Sequence, residues 1–131
     1  MMRTDDLRYN AEHFWLKIEG DKTTRIGITP FYCEQLQRII FIELPELNAV
    51  VSKGQPFGSI ESPKTIIDLN SPISGKVVAV HSEVSERGDI VSGDPYGEGW
   101  LFIVEMSDSD ELGSLMSDRE YDSFVMGLRR S

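Results

Sequence analysis

Phe57-Gly58-Ser59-Ile60-Glu61-Ser62-Pro63-Lys64-Thr65-Ile66-Ile67-Asp68-Leu69 reads as two short strands folded about one tight turn. Phe57–Ser62 and Thr65–Leu69 are rich in β-branched and aromatic residues and are bounded by Gly, Pro, Ser and Asn, the composition of strands and their punctuation. Pro63 suits the second position of a type I turn because its ring presets φ, and this places Lys64 third, at the tip. A lysine there projects its ammonium into water. Taken singly, such a residue is a solubility lysine; the spacing alone gives only a hint of modification.

The flanking sequence extends the β pattern. Phe14-Trp15-Leu16-Lys17-Ile18-Glu19 runs to the turn pair Gly20-Asp21 and on to Thr23–Ile28, a second hairpin. Thr29 can cap a helix and Pro30 suits its first position, which predicts two turns through Leu36. Ile39–Leu44, stopped by Pro45, and the runs Ile73–Val80 and Trp100–Met106 read as further strands. No helix alternates with these strands, so a parallel doubly wound sheet does not fit. The period then changes. Ser117-Asp118-Arg119-Glu120 is a capping box, and Tyr121, Phe124, Val125 and Leu128 recur on one helical face, with Arg129 and Arg130 in the last turn. Leu112, Leu115 and Met116 suggest a shorter helix before it. The expected architecture is mainly β with peripheral α-helices: one domain over residues 1–131, with a short helix in its N-terminal half and C-terminal helices over an open end.

Composition narrows the function. Among 131 residues, 13 basic against 22 acidic side chains leave a net charge of −9, which repels nucleic acid and anionic membranes. The longest apolar run, Ile39 to Ile42, is far too short to span a bilayer, and the acidic start Met1-Met2-Arg3-Thr4-Asp5-Asp6 is not a targeting segment. Cys33 is the single cysteine, so a reduced, cytoplasmic setting is expected. With two histidines it cannot build a Cys/His zinc cluster. Asp108, Asp110 and Glu111 lack the glycine and ligand order of a calcium loop and read as the acidic first turn of a helix. His13 reads as a hydrogen-bonding residue at a strand end and Cys33 as a core thiol. No nucleophile–base constellation or phosphate loop is present, so catalysis by this chain's own side chains is not expected.

Several segments taken together point further. Leu7-Arg8-Tyr9, Glu12-His13-Phe14-Trp15, Gly27-Ile28-Thr29, Ile42-Glu43-Leu44-Pro45-Glu46, the Lys64 hairpin, Ser71-Pro72-Ile73-Ser74-Gly75-Lys76-Val77 and Asp94-Pro95-Tyr96-Gly97-Glu98-Gly99-Trp100 occur in one order and spacing. In these the chain resembles the glycine cleavage system H proteins over about residues 5–128. The resemblance implies a lipoyl-domain-like barrel-sandwich hybrid with lipoate in amide linkage to Lys64. It implies a carrier that is not an enzyme, shuttling an aminomethyl group between glycine decarboxylase, the aminomethyltransferase and dihydrolipoyl dehydrogenase. A lipoate ligase or lipoyltransferase would attach the arm; nucleic acid and membranes are not expected partners. Glu61, Asp68 and Phe14 are expected beside Lys64 in the cleft that receives the arm.

Three departures from the family pattern bear on this. Phe14 stands where the family usually has a Glu that, with the Asp represented here by Asp68, holds the ammonium of the loaded arm; Phe14 would offer apolar contact instead. Pro63 replaces a Val, and Thr65-Ile66-Ile67 replace smaller residues, giving either an apolar landing strip for the arm or extra core. Gln37-Arg38 stands where the family often has Gly-Asp. The alternatives are an H-like lipoyl carrier turned to another pathway, such as sulfur oxidation, or an unmodified scaffold of the same fold.

Overall fold

The computed structural model describes residues 7–20 and 22–130; the acidic start and Asp21 lie outside them. Strands β1 (Leu7–Tyr9), β2 (Phe14–Glu19) and β3 (Thr23–Ile28) form an antiparallel meander. Helix α1 (Pro30–Leu36) follows, with Thr29 as the cap accepting from the Tyr32 N–H and Pro30 in the first turn, as expected from sequence. Then come β4 (Phe41–Glu43), β5 (Val50–Val51), β6 (Pro56–Glu61), β7 (Ile66–Asn70) and β8 (Gly75–Val80). A 3₁₀ segment, Ser82–Glu86, leads into α2 (Gly88–Gly93), β9 (Phe102–Met106), a second 3₁₀ segment, Ser109–Ser114, and α3 (Asp118–Arg129). The capping box at Ser117 and Glu120 forms in full.

Two sheets result, one ordered β1-β2-β3-β9-β8-β5 and one β4-β6-β7, with every pairing antiparallel. The core lies between them. Phe14, Leu16, Ile26, Val77 and Val104 of the large sheet meet Ile42, Ile60 and Leu69 of the small one. The far side of the large sheet is also covered. There Leu7, Tyr9 and Trp15 form a second cluster with Tyr121 of α3, flanked by Tyr96 and Trp100. Covering on both faces is why Phe14-Trp15-Leu16 is buried without alternation.

The segment Asp94 to Trp100 is held by Asp94, whose carbonyl accepts from the N–H groups of Gly97 and Gly99 and whose carboxylate accepts from that of Glu98. Its neighbour Pro95 offers a carbonyl to the Trp15 indole at 2.9 Å. Gly27 sits under that indole: a Cβ there would lie 2.4 Å from the ring, so only glycine admits the tryptophan.

Strand β1, strand β5 and α2 were not legible from periodicity. They are three, two and six residues long, below the length at which a pattern emerges. The Ile73–Val80 and Trp100–Met106 strands are shorter than expected, beginning at Gly75 and Phe102. The short helix around Leu112 takes 3₁₀ form, with Asp108 capping it.

Candidate functional site

The hairpin β6–β7 turns at Ser62-Pro63-Lys64-Thr65. The Ser62 N–H donates to the Thr65 carbonyl at 2.8 Å, and the Thr65 N–H donates back at 3.3 Å. The Ser62 hydroxyl adds a third bond to the same Thr65 carbonyl at 3.2 Å. Neither Pro63 nor Lys64 has positive φ, which excludes the type II and primed turns and fits the type I turn expected. Pro63, Lys64 and Thr65 are exposed while Ser62 is buried beneath them. Lys64 thus stands at the end of a stiff two-strand support, its ammonium in solvent.

The base of the hairpin is anchored in the core. A register shift between Pro56 and Gly58 turns Phe57 inward, where its ring meets Phe102 at 4.8 Å and Phe14 at 5.9 Å. Gly58 lets β4 approach: a Cβ there would fall 1.9 Å from the Glu43 carbonyl oxygen. Above this base, rows of cross-strand partners alternate in facing. Ile42, Ile60 and Ile67 point inward, whereas Phe41–Glu61–Ile66 and Glu43–Ser59–Asp68 face out.

Two clefts border the hairpin on the side of α1. One, of about 190 Å³, lies between Gln35 and Gln37 and the tip residues Pro63, Lys64 and Thr65, with Ile67 on its wall. The other, of about 210 Å³, is lined by Glu12, Phe14, Tyr32, Ile67, Asp68 and Asn70. Ile67 lines both, so an apolar side chain joins the tip to the acidic end. Ile66 faces the opposite way, so the pair does not act together as a landing strip.

Lys64 and Asp68 therefore share one hairpin, and Asp68 borders the second cleft. Phe14 reaches the same cleft but is first a core residue, 1% exposed and set against Phe57. Glu61 is a correction to the expected cleft set. Because Ile60 beside it is buried, Glu61 must face outward, and it lines neither cleft. Glu12, which was not among the expected cleft residues, brings a second carboxylate to the cleft that Asp68 borders. Its Oε1 accepts from the Asn70 amide at 3.2 Å, and it helps raise the Tyr32 hydroxyl, chiefly lifted by burial. The signal for it was its place in the quoted segment, two residues before Phe14.

His13, at φ 73°, turns the chain between Glu12 and β2. Its Nδ1 is 2.8 Å from the Tyr121 hydroxyl, which is 2.7 Å from Thr29 Oγ1. Burial lowers its proton affinity, and burial lifts the Tyr121 hydroxyl to about 12. The strand-end histidine thus ties α3 to the cap of α1. Cys33 is buried, its thiol pushed up to about 11 by desolvation, as suits a core thiol. Among the described residues no group of acidic, His and Cys side chains is arranged to hold a metal ion, and no helix is long and apolar enough to cross a membrane.

A family model described as glycine cleavage H-protein matches residues 7–127. The chain belongs to that family. It is 43% identical over 120 residues to a glycine cleavage system H protein of Anoxybacillus flavithermus, covering 92% of this chain and 94% of the relative. Against the Bacillus subtilis glycine cleavage system H protein the identity is 44% over the same shares. The crystal structure of a glycine cleavage system H protein from Mycobacterium marinum superposes with a TM-score of 0.83 at 36% identity, covering 92% of this chain and 96% of that one. The family and the structural neighbour bear out the fold class read from sequence. These H-protein relatives carry the glycine cleavage name, which does not favour a carrier turned to another pathway.

Proposed function

We propose that this chain is the lipoyl carrier of a glycine cleavage system, with Lys64 as the attachment point, working in the cytoplasm as one carrier domain without catalysis of its own. The observation that carries the reading is the placement of Lys64: exposed, at the end of a hydrogen-bonded turn, within a chain of the H-protein family. The residues present fit the group. An acyl chain on Lys64 meets no buried obstacle at the tip, and the Ile67 wall leads from there to the cleft holding Asp68 and Glu12.

Attachment needs little of the chain itself. The neutral Lys64 amine forms a C–N bond to an activated lipoyl carbonyl, the bond from that carbon to its activating oxygen breaks, and the nitrogen releases one proton. When bound, the lipoyl group supplies a dithiolane that exchanges between disulfide and thiol forms. The chain's part is to hold the arm and its cargo between visits. Asp68 and Glu12 offer carboxylates to a cationic cargo, with Asn70 orienting Glu12, and Phe14 and Ile67 keep the approach apolar. Tethering keeps the cargo at high effective concentration beside each docked enzyme. Glycine decarboxylase, the aminomethyltransferase and dihydrolipoyl dehydrogenase are the partners this requires, with a lipoate-attaching enzyme before them.

Reconstitution tests this reading. Lipoylated protein mixed with glycine decarboxylase and labelled glycine is expected to take up the aminomethyl carbon in proportion to its lipoyl content. Full lipoylation with no glycine-dependent uptake would reject glycine cleavage as the pathway served.

A further inference from the structure

Between α1 and the last turn of α3 lies a further cavity. It holds about 370 Å³, in the range of roughly 300–1,000 Å³ common for small-molecule sites, and is lined by His13, Phe31, Tyr32, Gln35, Leu128 and Arg129. Three rings crowd one wall: that of His13 lies 4.9 Å from Phe31 and 5.6 Å from Tyr32, centroid to centroid. Arg129 is fixed beside them, its guanidinium 5.0 Å over the Phe31 ring and forked onto Glu34 at 3.1 and 3.2 Å. Three of the lining side chains carry polar atoms with no bond to the chain among the described residues. His13 Nδ1 is engaged with Tyr121, which leaves Nε2 free, and the Tyr32 hydroxyl and the Gln35 amide have no partner. No buried polar side-chain atom goes unbonded, so all three are open to solvent. Because Tyr121 can donate either to Thr29 Oγ1 or to Nδ1, the free Nε2 can accept or donate.

We infer that this cavity binds a small planar heteroaromatic molecule with an acidic substituent, its face on the rings of Phe31, Tyr32 and His13 and its edge on the Gln35 amide. The chemistry of the lining selects this class. A plain apolar ligand would take the three open polar groups out of water without replacing their hydrogen bonds. A small polar ligand would leave the rings unused. A flat heterocycle satisfies both, since its faces stack and its edge donates and accepts. Arg129 is already committed to Glu34, whereas Arg130, next along the chain, has no ion pair among the described residues and offers its charge to the acidic substituent. In a chain of net charge −9 this free cation favours an anion at the site. His13 and Tyr32 also line the cleft that Asp68 borders, so a ring seated here lies across a shared wall from the space offered to the arm. The inference goes beyond the carrier reading and does not depend on acylation of Lys64.

The test titrates isotope-labelled, unmodified full-length protein with adenosine monophosphate, with pterin-6-carboxylate and with naphthoate, a flat acid that has no hydrogen-bonding ring edge, and follows amide shifts by NMR. At least one of the two heterocycles is expected to bind with a Kd of about 1 mM or tighter, with shifts centred on Phe31, Gln35 and Leu128. Naphthoate is expected to bind about tenfold more weakly or worse. Gln35→Ala, at an exposed position, is expected to weaken the heterocycle about fivefold and leave naphthoate unchanged, and Phe31→Ala to weaken both about tenfold. Val50→Ser, on the exposed β5 edge of the large sheet, is expected to change neither. If Phe31→Ala fails to fold, Gln35→Ala decides alone. No saturable shift with either heterocycle up to about 10 mM overturns the inference. So does an unchanged heterocycle affinity in Gln35→Ala, or naphthoate binding as tightly as the heterocycles, since the site then reads no ring edge. Binding that the unmodified chain keeps and lipoylated protein loses in full gives the cavity to the arm, which also overturns it. Each of these outcomes leaves the Lys64 reading standing, because acylation of Lys64 is measured separately by mass.

Discussion

Phe14→Glu, which restores the carboxylate common in the family, separates a core role for this position from a cleft role. Phe14 is 1% exposed and its ring lies 5.9 Å from that of Phe57, the residue that roots the hairpin. Losing a buried phenyl ring costs about 3–5 kcal/mol when nothing refills the space. The new carboxyl recovers part of the volume but brings an ionisable group among Leu16, Ile28 and Phe57, so the net loss is expected at about 3 kcal/mol or more. That is a large share of the 5–15 kcal/mol typical of a domain. The pH dependence has a definite sign. Burial raises the introduced carboxyl above its unfolded value, so the folded state binds the extra proton and stability falls as pH rises through that interval. Urea unfolding of wild type and variant at pH 5 and pH 8 is the assay. A variant within about 1 kcal/mol of wild type, with no steeper loss at pH 8, refutes the reasoning, because the side chain then points into the cleft rather than the core.

Gly58→Ala forces a Cβ to 1.9 Å from the Glu43 carbonyl, so β4 must separate from β6; a drop of about 2 kcal/mol or more in urea unfolding is expected, with slower lipoylation of the displaced tip. Gln37 closes α1 at φ 64°, ψ −79°, a conformation strained for any residue with a Cβ; Gln37→Gly is expected to be neutral or stabilising by up to about 1 kcal/mol in thermal melts. His13 binds its proton less readily when folded than its ordinary 6.5, so the unfolded chain gains the proton first and stability falls as pH drops below that value. In His13→Gln the same titration, followed by urea midpoints between pH 5 and 8, is expected to be flatter.

The parts legible in the sequence are those whose causes are local. The turn at Ser62–Thr65 follows from Pro63 and the strands beside it, α1 from Thr29-Pro30, and α3 from its capping box. What escaped depends on distant chain. Phe14-Trp15-Leu16 looks like an imperfect alternation until α3 and the Asp94–Trp100 segment are seen to cover the far face of the large sheet. Glu61 was expected in the cleft beside Lys64, yet the inward setting of Ile60 forces it to the outer face. Ile66 and Ile67 look equivalent in sequence and divide only because one row faces the core. Glu12 looks like an ordinary residue before a strand, since its bond to Asn70 and its place in the cleft that Asp68 borders depend on chain far away in sequence.

Peptide-resolved mass spectrometry of the protein isolated from lipoate-replete host cells tests the central claim most directly. The account predicts an increment of one lipoic acid less one water on the peptide containing Lys64, absent in Lys64→Ala. Unmodified Lys64 in such cells, or the same increment on another lysine, contradicts it.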